Sequence, residues 1–268
     1  MQKKLLENRR NYKKMLGVSI IAFAFLVSAF ALLAMPVEAD NGGDTCPDCL
    51  VSYWKLDENS GDTAYDEMLN NNHGMLIDDN PENADGNDGP HWTSFGQVNR
   101  ALDFDGVDDY VEIEDDNSLD IDDILTVECW FNIDNIDNPN HDYSMQTIVS
   151  KDTNYEIHVN TDGKFYWWWE DSSDNPHFLK SETEIQVETW YHVAVVYNQP
   201  DSSAKMFLNG VLENETTVSS NLATNDLDVH FGKNHYDMDR FFGGILDEVA
   251  IYDCALSESD IQQHYVNG

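Results

Sequence analysis

Apolar and polar positions alternate with a period of two along most of the chain. Val127, Cys129, Phe131 and Ile133 alternate with Glu128, Trp130 and Asn132, the pattern of a strand. Trp190–Asn198 (WYHVAVVYN) is largely apolar on both faces, which predicts a central strand covered on both sides. Residues 205–208, Asn209-Gly210 and Val211 onward read as a hairpin with a type I′ turn, because asparagine and glycine tolerate the positive φ it needs. Tyr155–Asn160 and Lys164–Glu170 form a second hairpin around Asp162-Gly163. Residues 245–252 (ILDEVAIY) predict a late strand with Leu246, Ala250 and Tyr252 on one face and Ile245, Val249 and Ile251 on the other. Only one helix is indicated. Ser257 to Asp260 approximates a capping box, and Ile261 and Tyr265 then share a face. Turn signals recur without a repeat of roughly 20–50 residues, which disfavours solenoids and propellers. The expected fold is all-β: a two-sheet antiparallel β-sandwich with one short C-terminal helix.

Charge sets the chain's class. The 268 residues hold 51 Asp and Glu against 14 Lys and Arg, a net −37. Residues 1–39 carry a net +4, so the other 229 carry −41. No surface of that kind neutralises phosphates, so a nucleic-acid partner is excluded. Hydrophobic residues at 41% and aromatics at 12% supply a core and argue against disorder.

Residues 16–35 (LGVSIIAFAFLVSAFALLAM) lack charge, follow a basic stretch and lead to Val37-Glu38-Ala39. Residues 1–39 therefore read as a signal peptide cleaved before Asp40, although the apolar run also suffices for an uncleaved membrane anchor. Arg9-Arg10 fits either a twin-arginine export signal or ordinary leader charge. Under each reading the acidic part lies outside, secreted or at the cell surface. Residues 40–49 form a short linker holding Cys46-Pro-Asp-Cys49, for which a local Cys46–Cys49 disulfide is expected. Pairing of Cys129 with Cys254 stays open.

Residues 50–268 then show a family pattern. Residues 51–58 (VSYWKLDE) with Ser60-Gly61 resemble the opening strand of LamG-like (laminin G-like) domains, jelly rolls of the concanavalin A-like lectin/glucanase superfamily. Asp66 with Asn71-Asn72-His73-Gly74 is similar to that family's Asp…Gly-Asn-His-Gly segment, lacking its first glycine. Residues 101–113 (ALDFDGVDDYVEI) closely resemble a second landmark, and 126–131, 190–194, 207–210, 244–252 and 255–257 follow in family order. The resemblance implies two curved sheets and a fold shared by lectins, adhesion modules and some glycan-cleaving enzymes. It also implies one structural calcium joining the opening segment to the last strand, for which Asp57, Asn72 and Asp247 occupy matching regions.

Sugars present C–H faces and hydroxyls, so a glycan site needs aromatic platforms beside polar groups. Tyr166-Trp167-Trp168-Trp169 supplies the aromatics. On a strand, Trp167 and Trp169 share one face, Tyr166 and Trp168 the other, and one of the two faces is expected to meet ligand. His158, two residues from Glu156 on one strand face, is a further candidate. Glu112 and Glu114 have the spacing of a glycosidase carboxylate pair but read as the solvent side of an outer strand. No Gly-x-Ser-x-Gly, Walker or His-Glu-x-x-His motif occurs. The expectation is an exported, non-catalytic module that binds carbohydrate or another cell-surface ligand. The alternatives are a glycan hydrolase or lyase with unrecognised catalytic residues, and a structural protein anchored through residues 16–35.

Overall fold

The computed structural model describes residues 48–78, 89–136, 145–235 and 240–268. The leader, Cys46 and most of the linker lie outside them. No helix among the described residues is long and apolar enough to cross a membrane.

Among the described residues sixteen strands pair into two antiparallel sheets. The first contains β1 (Leu50–Trp54), β4 (His91–Thr93), β5 (Ala101–Asp105), β7 (Ile124–Ile133), β12 (Trp190–Asn198), β13 (Ser203–Leu208), β14 (Val211–Thr217) and β16 (Gly243–Tyr252). Its order is β14-β13-β12-β7-β16-β5-β4, with β1 also on β16. The second contains β2 (Thr63–Ala64), β3 (Gly74–Asp78), β6 (Asp109–Ile113), β8 (Met145–Lys151), β9 (Tyr155–Asn160), β10 (Lys164–Glu170), β11 (Pro176–Glu184) and β15 (Val229–Phe231). Its order is β11-β10-β9-β8-β15-β6-β3-β2. The inner faces share one core that includes Val127, Phe131 and Leu246 from the first sheet and Ile157, Trp167 and Phe231 from the second. β12 lies between β7 and β13, and its other face packs Ala194 and Val196 into a smaller cluster with Ile261 of the helix α1 (Glu258–Asn267). Both faces are apolar because both are covered.

The expected turn and cap chemistry is present. Asn209 and Gly210 take φ of 51° and 72°, as a type I′ turn requires. Asn71 takes φ of 56°, which asparagine tolerates, so it stands where the family pattern has glycine. Ser257 and Asp260 form a reciprocal capping box at the start of α1.

Two expectations are corrected. The alternation read for residues 245–252 changes phase: Leu246, Val249 and Ile251 all face the main core, while Ala250 and Tyr252 face the helix side. The β16–β7 register shifts between Asp247 and Ala250, with Glu248 at φ 52°, and such a bulge inverts the faces beyond it. Second, Cys49 bonds Cys254, not Cys46. Leu50 pairs with Tyr252, and this antiparallel register brings the flanking cysteines to a Cα separation of 5.8 Å, ordinary disulfide spacing. Cys129 is a buried free thiol within β7.

Candidate functional site

On β10, Phe165, Trp167 and Trp169 point into the core and Tyr166 and Trp168 point out. Trp167 and Trp169 are fully buried, their ring centroids 4.4 Å apart. They fill the sandwich, so this pair is withdrawn as a ligand platform. Tyr166 and Trp168 are half-buried. Tyr166 stacks on the exposed Phe178 of β11 at 5.0 Å and 15°.

Opposite residues of paired antiparallel strands share a face. Trp168 lies opposite Glu156, and Tyr166 opposite His158. These four side chains line one cavity of about 400 Å³ on the outward face of the second sheet, together with Met145, Asp152, Asn234 and Arg240. Its floor is a buried polar network. Glu156 accepts hydrogen bonds from the Thr153 amide (3.2 Å) and the Asn234 amide group (2.6 Å), and pairs with His158 Nε2 at 3.1 Å. His158 Nδ1 lies 3.1 Å from Thr147 Oγ1. Burial favours the neutral acid, yet the His158 hydrogen bond and charge, the Thr153 amide and the Arg240 charge outweigh it and hold Glu156 below its ordinary value. The result is an ionised acceptor with aromatic rings beside it.

Sequence reasoning located His158, Tyr166 and Trp168 and missed Arg240 and Asn234. Both missed residues follow β15 and are far from β9 and β10 along the chain, so no local periodicity reports them. One signal existed: Arg240 is the only arginine after position 100.

Asp57 and Asp247 meet at another place. Asp57 accepts from the Arg100 amide at 2.9 Å and from the Asn99 side chain at 3.1 Å. Asp247 is fully buried and accepts from the Val98 amide at 2.9 Å, while its Oδ1 has no partner among the described residues. Burial pushes Asp247 up to about 7; the Val98 amide opposes this and the Asp57 charge adds to it. Leu56, Asn99 and Glu248, each adjacent to one of these contacts, have positive φ. Asn72 is committed elsewhere. Its side-chain amide group donates to Ser52 (2.8 Å) and Ser118 (3.1 Å), and its backbone carbonyl accepts from the Trp54 indole at 2.8 Å.

Two antiparallel sheets packed face to face, with one short C-terminal helix, define a jelly-roll β-sandwich. The chain belongs to the concanavalin A-like lectin/glucanases superfamily, whose Laminin_G_3 family model matches residues 105–262. Solved structures agree on the fold. The binding domain of Paraclostridial Mosquitocidal Protein 1 is 18% identical, with a TM-score of 0.63 over 81% of this chain and 52% of that one. Domain 4 of AbnA, an extracellular GH43 arabinanase from Geobacillus stearothermophilus solved with arabinotriose, is 21% identical, with a TM-score of 0.60 over 80% and 97%. The botulinum neurotoxin serotype D ligand-binding domain, solved with N-acetylneuraminic acid, is 15% identical, with a TM-score of 0.60 over 82% and 51%. The chain thus spans about half of each toxin domain and nearly all of the arabinanase domain. No curated protein matches the chain in sequence.

Proposed function

We propose that the protein is an exported, non-catalytic binding module that takes a glycan in the groove of Tyr166, Trp168, Glu156, His158 and Arg240. The observation carrying this reading is the union of half-exposed rings and a satisfied polar floor in one cavity. The rings cover sugar C–H faces, and Glu156, His158 and Asn234 orient hydroxyls. A glycosidase acid needs a raised pKa to deliver its proton, and Glu156 is shifted the opposite way. That favours binding over hydrolysis at this site. The arabinanase and toxin neighbours support a carbohydrate or receptor ligand in general. The basic leader and apolar run support export, with the module secreted or held at the cell surface. A glycan array probed with the full chain tests the reading. Specific signals lost in Trp168→Ala support it; no signal, or one unchanged by Trp168→Ala, removes the site.

A structural calcium at Asp57 and Asp247 is part of this proposal. The unpartnered, buried Asp247 Oδ1 beside a second carboxylate suits a hard cation that prefers oxygen ligands. Asn72 is not among its ligands in this reading.

A further inference from the structure

Among the described residues three groups of side chains bring ligating atoms within 4.8 Å of one another. Asp115, Asp120 and Asp226 surround a cation the chain already provides: Lys151 Nζ lies 2.5 Å from Asp115 and 3.1 Å from Asp120. Asp105, Asp108 and Asp109 form an acidic turn, where Asp105 caps the amides of Val107 and Asp108. The third differs in kind, because it mixes an imidazole with two carboxylates: Glu112 of β6, Asp228 just before β15, and His230 of β15.

His230 is 3% exposed, so its ring is held in place, and its Nε2 stands 3.5 Å from Glu112 Oε2. Two ligands on a tetrahedral ion with bonds of about 2.1 Å lie about 3.4 Å apart, so this spacing already fits a shared metal. The third ligand is also positioned, since Asp228 accepts the Asp115 amide at 2.9 Å. Glu112 and Asp228 are half-exposed and give an ion its way in. Burial and the Asp228 charge raise Glu112, while the Lys233 charge lowers it. The nearby Lys233 ammonium is directed at the Tyr110 ring, 4.0 Å from its centroid.

We propose that Glu112, Asp228 and His230 form a binding site for a divalent transition metal, zinc by its ligand set, with the fourth position open. One nitrogen and two carboxylate oxygens suit zinc; calcium and magnesium select oxygen alone. The site is distinct from the Asp57–Asp247 place and from the Tyr166–Trp168 groove. It lies on the same outward face as the groove: His230 is opposite Ser150, and Ser150 is opposite Glu156. Strand spacing therefore puts it about 10 Å from Glu156. The ring of His235 stacks on that of His230, with centroids 5.5 Å apart, and Asn234 donates to Glu156. A metal here would steady the turn that supplies Asn234 to the groove, but metal binding does not depend on the glycan reading.

The test is calorimetric titration of the EDTA-stripped full chain with zinc chloride, and cobalt chloride as a spectroscopic probe. One zinc per chain that calcium does not displace is expected, with the visible bands of four-coordinate cobalt. Replacing His230 risks the fold, so the half-exposed ligands carry the result: Glu112→Gln and Asp228→Asn should each weaken zinc at least about tenfold, the scale of losing a group that shapes a metal site. Asp247→Asn should leave zinc binding unchanged. Equal zinc affinity in wild type, Glu112→Gln and Asp228→Asn, or displacement by calcium at equal concentration, overturns the proposal.

Discussion

Trp168 and Trp169 are adjacent in sequence and opposite in consequence. Trp169 is fully buried, so Trp169→Ala should cost about 3–5 kcal/mol, the usual range for a large core truncation. Trp168→Ala removes a half-buried ring from the groove and should lower Tm far less while weakening glycan binding several-fold. Thermal melts and binding on both variants check this pair; similar melting losses would place Trp168 in the core. The alternation of β10 was legible in the sequence, but a period of two separates the faces without saying which is inward. Polarity decides, and here only the ends of the strand carry it: Lys164 and Glu170 share the outward face with Tyr166 and Trp168, and Phe165 shares the inward one with Trp167 and Trp169. Glu156 and His158 are the converse case: the sequence marks His158 as a candidate beside Glu156 but gives no sign that the pair is buried. They look like a solvent face and are in fact buried beneath residues that arrive from beyond β15.

At the scale of elements, periodicity located both hairpins, β12 and α1, and failed where the backbone leaves regular geometry. The β16 bulge is one case. The Cys49–Cys254 bond is another, because pairing depends on β1 lying antiparallel to β16, a contact between the chain's two ends. Peptide mapping of the unreduced protein should recover a Cys49–Cys254 linked peptide, with Cys129 alkylated only after unfolding. Reduction should cost about 2–4 kcal/mol, the usual worth of a bridge that closes a long loop. The helix α1 has its own electrostatic clasp. Glu128 is buried and receives Tyr252 Oη at 2.6 Å and His264 at 2.8 Å, with His192 at 3.4 Å. Burial opposes its charge, but the histidine hydrogen bonds prevail and bring it down to about 2. The Glu128 hydrogen bond raises His264 above 6.5, against partial burial and with the Asp260 charge adding. Glu128 then stabilises the fold above pH 4.5 and loses this as pH falls toward 2. His264 contributes fully below pH 6.5 and loses its share as pH rises through its elevated folded value. Hydrogen exchange of the α1 amides should be slowest between these limits, and Glu128→Gln should flatten the dependence. An identical pH profile in Glu128→Gln would exclude the clasp.

For the whole molecule, charge is the governing quantity. A net −41 over 229 residues repels itself, so sodium chloride should raise Tm in any variant by screening alone. A specific calcium must show above that background. Asp57 comes from the segment after β1, Asp247 from β16, and the 97–100 loop closes over both through the Val98 and Arg100 amides. A cation between them would tie three segments that are distant in sequence, in the folded state only. Binding at one hundred times Kd should then add about 2.7 kcal/mol. For a chain of this size that is a rise in Tm of roughly 5–10 °C. Asp247→Asn is the sharpest variant, because an amide oxygen can still accept the Val98 hydrogen bond while the buried charge is removed. Calcium, magnesium and sodium at matched ionic strength separate the effects. Wild type should gain more from calcium than from magnesium, and Asp247→Asn should keep only the part that sodium reproduces. Equal gains from calcium and magnesium, with Asp247→Asn responding as wild type does, would mean that the two aspartates meet without a metal and that screening alone stabilises the sandwich.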